Sequence, residues 1–409
     1  MAGFVKARLA DVAEVKGGKR LPANSNLVAT PTAHPYIRGR DIRDGKITFD
    51  DPMYVLDEDF EKIKRYTVDS GDVCITIVGN IGDVGITPPN LHRASLTENA
   101  VKLVNLREDI GALFLLYALL TPDAQSQMKL SAAGAAQPKL GIYKVNEIKV
   151  PLPPLPIQRR IAGILSAYDE LIENSQRRIK ILESMARALY REWFVHFRFP
   201  GHESVPRVPS TLGEIPQGWK VRKLGEIAEE MRRNVPKGSL EEPAPFVGLE
   251  HIPRRSLALD AWESSTELGS NKLEFKRGEV LFGKIRPYFH KVSVAPFDGL
   301  CSADTIVIRS RRPEHYAMVV GCVSSDDFVA LATATSNGSK MPRASWSVLA
   351  EHQIAIPPST VRHQFSAVIE SAINQMQALV FQTQNLRRTR DLLLPRLLSG
   401  QIDVEAMEL

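Results

Sequence analysis

The sequence predicts an α+β protein in which two similar α/β domains are separated by two long antiparallel coiled-coil helices, the halves related by a pseudo-two-fold internal repeat. Three observations predict it. A heptad seam runs through residues 156–194, the same seam returns 204 positions later, and the stretches ahead of the two seams repeat in order.

The seam is the clearest element. Ile161, Leu165, Tyr168, Ile172, Ser175, Ile179, Leu182, Ala186, Leu189 and Trp193 recur at alternating spacings of four and three, the a/d pattern of a coiled coil. Its counterpart is Phe365, Ile369, Ala372, Met376, Leu379, Thr383, Leu386, Arg390, Leu393 and Leu397, interrupted by Thr383 and Arg390. A long amphipathic helix cannot bury its own stripe, so two matched stripes most simply pack on each other. The other arrangement has each stripe covered by its own domain. A helix of roughly 40 residues is about 60 Å long.

Taken in order, residues 1–155 form the first domain. It has short β-branched runs such as Val73 to Val78 and Ala100 to Leu106, then a helix expected over Gly111 to Leu130. Pro151, Pro153, Pro154 and Pro156 make a stiff hinge, with Pro156 suited to the first helical position. The first spacer helix is assigned 156–198, and a proline-rich stretch, 199–218, reads as an extended linker. The pattern then restarts, and residues 219–358 form the second domain. Lys6 to Glu14 is echoed by Lys220 to Glu229, His34-Pro-Tyr-Ile by Ala244-Pro-Phe-Val, and Ser70-Gly-Asp-Val by Arg277-Gly-Glu-Val. Pro138-Lys139 meets Pro342-Arg343, and Val150-Pro151 meets Ile356-Pro357. A whole domain plus helix repeated in order is the mark of an internal duplication. The second helix and a C-terminal tail fill 359–409, with Ser359 as an N-cap and Pro395 ending or kinking the helix. With the helices antiparallel, each domain feeds the start of its own helix, and the domains lie at opposite ends of the pair.

Bulk properties narrow the class. The chain has 409 residues, 44% hydrophobic and 24% charged, the balance of a folded multidomain protein. A net charge of +5 leans mildly towards a polyanion. Cys74, Cys301 and Cys322 make no CxxC pair, which suits a reducing cytosol. Lys6, Arg8 and Asp11 stand where a signal peptide needs an apolar core, and the longest apolar run, Ala112 to Leu120, is too short for a bilayer. A cytoplasmic protein without a membrane partner is expected.

Catalytic motifs are scarce. There is no HExxH, no phosphate-binding loop and no Asn-Pro-Pro-aromatic tetrad. Glu-x-Lys occurs at Glu14, Glu147 and Glu274, and Asp260 with Glu274 and Lys276 could mimic a metal-dependent nuclease with a helical dimerisation arm. A protein-binding scaffold is the third reading. Basic and aromatic clusters are more suggestive. Lys284, Arg286, Tyr288 and His290 would share one face of an extended segment, with Lys291 following. Ser339, Lys340 and Arg343 lie in a basic loop whose counterpart carries Gln137 and Lys139, and Lys19, Arg20, Arg38 and Arg40 are the first-domain candidates. Such side chains hold phosphates and reach base edges.

The chain resembles the specificity subunits of type I restriction–modification systems along nearly its whole length. The resemblance rests on Ile148-Lys-Val-Pro-Leu-Pro-Pro-Leu-Pro-Ile-Gln-Arg-Arg-Ile-Ala162, Leu212-Gly-Glu-Ile-Pro-Gln-Gly-Trp-Lys220 and Leu392-Leu-Leu-Pro-Arg-Leu-Leu-Ser-Gly-Gln-Ile402. Gly338-Ser-Lys-Met-Pro-Arg-Ala-Ser-Trp346 and Val78-Gly-Asn-Ile-Gly82, which adds Asn80 to the DNA-binding candidates, also look typical. The resemblance implies a non-catalytic reader of double-stranded DNA. Two target-recognition domains would each bind half of a bipartite site, and the helices would set the spacer and dock two methyltransferase subunits. Restriction/translocase subunits would complete the complex. No cofactor is expected in this chain; S-adenosylmethionine, ATP and magnesium would belong to the partner subunits.

Overall fold

The computed structural model describes residues 4–132, 138–240, 242–267 and 269–405. It forms two compact units. One takes the chain up to Glu170 and again from Arg387, the other Leu171–Leu386, so each unit holds one repeat of the globular sequence and a part of both long helices.

The first unit is built on a six-stranded sheet in the order Glu14–Gly17, Ala100–Val104, Val73–Thr76, Val84–Ile86, Gly45–Ile47, Ile42–Arg43. Val73, Ile75, Val101 and Leu103 face Phe114, Leu115 and Leu119 of the helix Ala112–Leu120 in one core. Ile161 and Leu165 of the first long helix, Leu155–Tyr190, enter that core beside Leu397 and Leu398 of the second, Ser359–Leu398. Asp169 binds Arg390 at 2.5 Å and accepts the Tyr117 hydroxyl at 2.6 Å. The start of one helix therefore lies against the end of the other. Arg390, which interrupts the predicted seam, is there to meet a carboxylate rather than a hydrocarbon.

The second unit carries a four-stranded sheet (Ala228–Met231, Thr305–Ser310, Val280–Gly283, Val292–Val294) and a five-stranded one (Arg233–Val235, Lys272–Phe275, Gly299–Ser302, Ala244–Val247, Glu263–Ser265). Here the end of the first long helix meets the start of the second. The rings of Trp193 and Phe194 pack on Phe365 with centroids 5.6 and 4.7 Å apart. Ile179, Ile369, Met376 and Leu379 share the same core. Every residue of both predicted seams is buried or half-buried, and each fully covered aliphatic side chain contributes about 1.5–3 kcal/mol.

The repeat extends to individual hydrogen bonds. The Leu9 amide donates to Ile148 (2.9 Å) as Leu224 does to His352 (2.8 Å). Parallel pairing of Tyr36 with Ser95 and of Ile37 with Leu96 is matched by Phe246 with Leu300 and Val247 with Cys301. The register corrects one sequence match. Lys6 opposite Pro151 corresponds to Val221 opposite Ala355, so Pro153 rather than Pro151 is the counterpart of Pro357.

Four further expectations change. The stretch 199–218 is not an extended linker: strands Arg207–Ser210 and Gly213–Pro216 form a hairpin, because Phe199, Ile215 and Trp219 are apolar enough to be drawn into the core. The helix expected over Gly111 to Leu130 is two, Ala112–Leu120 and Pro122–Ala132, since the residue before Pro122 is held extended. The first long helix starts at Leu155 and passes into a π-helical turn, Arg191–Val195. The second continues through Pro395 to Leu398, where burial of Leu397 and Leu398 offsets the missing amide.

Candidate nucleic-acid interface

In the first module, backbone hydrogen bonds tie five loops into one surface. Lys19 donates to Leu96 (2.9 Å), Thr97 to Ile37 (3.1 Å), Ile77 to Asn99 (2.8 Å) and Leu140 to Ile77 (2.9 Å). Gly18 sits where a Cβ would lie 2.0 Å from the Thr97 carbonyl oxygen, so no other residue allows this approach. The candidate side chains divide on this surface. Lys19, with its ammonium 5.6 Å from the Tyr66 ring, Asn80 and Lys139 are exposed. Arg20 is exposed but bound to Glu98 at 2.9 Å, which raises the Arg20 pKa. Arg40 is exposed and pairs with Asp51. Arg38 corrects the expectation: its guanidinium grips Asp41 through Nε (3.0 Å) and Nη2 (2.9 Å), closing a tight turn and leaving little of it in solvent. Gln137 lies outside the described residues.

The second module uses the same frame. Lys284 donates to Asp304 (3.0 Å), as Ile77 does to Asn99, and Ala344 donates to Lys284 (2.9 Å), as Leu140 does to Ile77. Arg343 therefore occupies the place of Lys139. The extended face expected over Lys284 to His290 is absent. Residues Pro287–Phe289 form a 3-10 turn between Arg286 and His290, both left-handed at φ 49° and 52°. That turn reverses the alternation. Lys284 donates from Nζ to the Ala303 carbonyl at 2.6 Å, and Lys291 caps the Leu249 carbonyl. His290 is 4% exposed, with Nε2 3.0 Å from the Ser324 carbonyl oxygen, and burial pushes its pKa down. These three side chains bond to the backbone around the loop, and of them His290 is buried.

What remains outside is Arg286, Tyr288, Ser339, Lys340 and Arg343. Two loops present them and are zipped together. The Arg286 amide donates to the Pro342 carbonyl (2.8 Å), and its Nη2 donates to the Lys340 carbonyl (3.3 Å). Arg343 leans towards Asp304 at 3.5 Å. Sequence reading missed Arg254, whose guanidinium lies 4.1 Å from the Phe289 ring centre. The signal was Pro253-Arg-Arg255, a basic pair in the loop beside this turn. Exposed cations with an aromatic ring among them can neutralise phosphates and stack on bases. Around Glu274 the picture is different. Its carboxylate binds Lys276 at 2.7 Å, and Lys276 also reaches Asp298 at 3.3 Å. Among the described residues no group of three or more His, Cys, Asp or Glu side chains is placed to hold a metal ion. No single described helix is long and apolar enough to cross a membrane.

Two copies of one loop-bearing module, each sharing a core with parts of two long helices, define the class as a duplicated α+β protein. Comparison with known proteins shows what the chain is similar to. Residues 1–184 match the model of the type I restriction modification DNA specificity domain. The MjaIX type I restriction enzyme specificity subunit of Methanocaldococcus jannaschii is 24% identical over 346 residues, 82% of this chain and 79% of that protein. The EcoDI specificity subunit of Escherichia coli is 24% identical over 274 residues, 62% of this chain and 61% of its own. The crystal structure of the type I restriction–modification S subunit from M. genitalium shares the fold, with a TM-score of 0.60 at 13% identity over 97% of this chain and 96% of that one. Residues 1–184 thus match the type I restriction modification DNA specificity domain, and the chain as a whole is similar to type I restriction enzyme specificity subunits.

Proposed function

We propose that this chain reads a bipartite double-stranded DNA target, one half with each module, and itself performs no catalysis. The observation that carries the reading is that both modules close the same loop pair with the same hydrogen bonds and put an exposed cation, Lys139 or Arg343, at the same place. Cations such as Lys139 and Lys340 would bind phosphate and supply salt-sensitive affinity, while neighbouring loop side chains select bases. The paired helices would fix the distance between half-sites, about a helical turn along the duplex. Their outer faces would dock two methyltransferase subunits, with restriction/translocase subunits completing a cytoplasmic complex. S-adenosylmethionine, ATP and magnesium would be bound by those partners.

The test is co-expression with the methyltransferase subunits of the same host, followed by genome-wide mapping of methylated adenines. The expected result is a split motif with a fixed gap. A continuous motif, or methylation unaffected by deleting this chain, would count against the proposal.

A further inference from the structure

The two modules differ at the turn that crowns the loop pair. In the first, the two left-handed positions are glycines, Gly79 (φ 80°) and Gly82 (φ 92°). Matching hydrogen bonds, Thr76 to Asp83 and Gly283 to Lys291, show that Arg286 and His290 stand there in the second, with one extra residue between them. A side chain in this backbone region is strained, and such strain persists only where the surroundings over-determine it.

Here they do. His290 is anchored on the Ser324 carbonyl and lies 3.4 Å from Asp326. Its own carbonyl accepts the Arg255 amide at 2.8 Å, and Arg187 of the first long helix donates to the Arg255 carbonyl at 2.9 Å. Pro287 is buried, and Phe289 is clasped by Arg254. All of this holds one side chain out. Tyr288 is 51% exposed, its ring supported edge-on by Phe289 at 4.8 Å. No described residue makes a hydrogen bond to its hydroxyl. At the tip of the first module's turn Ile81 instead packs against the core.

We propose that the 286–290 turn is a preformed stacking head: Tyr288 lays its ring on a base at an opened step of the duplex, and Arg286 beside it takes the adjoining phosphate. This rests on the DNA-reading proposal above and adds a positioning device to it. A flat ring presented near a cation suits the π-face of a base, and opening one step is the usual route by which a protein reaches that face in a duplex.

The test uses the full chain co-expressed with its host's methyltransferase subunits, and a duplex those complexes select from a random-sequence pool. Tyr288→Phe should bind that duplex as the unmodified chain does. Tyr288→Ala should lose affinity about tenfold with an unchanged slope of log Kd against log salt, because no phosphate contact has gone. Thymines at one step should become reactive to permanganate with the unmodified chain and with Tyr288→Phe, and lose that reactivity with Tyr288→Ala. Tyr288 is half in solvent, so matching thermal melts will show that the variants fold. Unchanged binding by Tyr288→Ala overturns the stacking head. So does Tyr288→Phe as weak as Tyr288→Ala, which would assign the role to the hydroxyl, or a flattened salt slope. Failure of the unmodified chain to select any duplex at low salt sinks the DNA reading itself.

Discussion

The same segment is held in opposite ways in the two modules. In the first, Gly45–Ile47 joins the sheet, pairing in parallel with Val84–Ile86 so closely that a Cβ on Gly85 would lie 2.4 Å from the Lys46 carbonyl oxygen. In the second, the equivalent residues make only an isolated bridge, Ala258 to Val294. Their amides turn instead to a helix carboxylate: Glu183 Oε1 accepts from Leu257 (2.7 Å), Ala258 (3.1 Å) and the Ser256 hydroxyl (2.5 Å). Glu183 is 3% exposed, a carboxyl group on the buried side of a long helix. A duplicated module thus need not keep its means of attachment. Where a strand supplies its own partners the helix can stay apolar, and where it does not the helix must bring an acceptor. The comparison breaks most sharply at this residue. Glu183→Ala would orphan three donors and should destabilise the second unit by about 3 kcal/mol or more, measured by urea unfolding. Glu183→Gln keeps an acceptor and should lose much less. Equal, small losses from both would mean that water already serves those amides.

A smaller difference follows from one buried and two half-buried histidines of the second unit. Burial is the largest influence on His290, His315 and His352 and lowers all three below the ordinary 6.5. In each case the folded state favours the neutral ring, so the unfolded chain takes up protons first. The stability they contribute is complete above pH 6.5 and is lost as pH falls from there through the depressed folded values. A melting temperature followed from pH 8 to pH 5 should therefore fall below about pH 6.5, and His290→Gln should shallow the decline. A slope unaltered by that change would place the acid sensitivity elsewhere.

How much of this was legible in the sequence depends on how local the signal is. The seams were readable because a helix imposes its period on every buried residue, and even the polar Ser175 and Thr383 on them are covered. The repeat was readable because matching strands kept their flanking turns. The loop side chains were harder. Lys284 to His290 alternates like a strand, and only the left-handed Arg286 and His290, set by contacts from residues 255, 324 and 342, break that face, burying His290 while Arg286 and Tyr288 stay outside. The pairing of Arg38 with Asp41 had a signal in the sequence. Arg38 and Asp41 stand three apart, as do Arg8 and Asp11, and both pairs close the same tight turn. A basic residue followed three positions later by an acidic one is a capping device before it is a ligand site.

The last and smallest test exchanges the two turns' own residues. Gly79→Ala meets open space, since nothing lies within 4 Å of the added Cβ. Its cost is therefore backbone alone: a left-handed residue with a side chain loses about 1 kcal/mol. Arg286→Gly runs the other way. It removes that strain, gives up the contact with the Lys340 carbonyl, and frees the unfolded chain, so the sum should stay within about 1 kcal/mol of zero. The two changes should separate in function as well. Gly79→Ala leaves every exposed cation in place, whereas Arg286→Gly removes one and should lower the salt slope of DNA binding by about one unit. Side-by-side urea melts and salt titrations decide it. If the two variants lose stability equally, Arg286 is not strained in the way its backbone angle indicates, and the second turn keeps its arginine for packing rather than for a ligand.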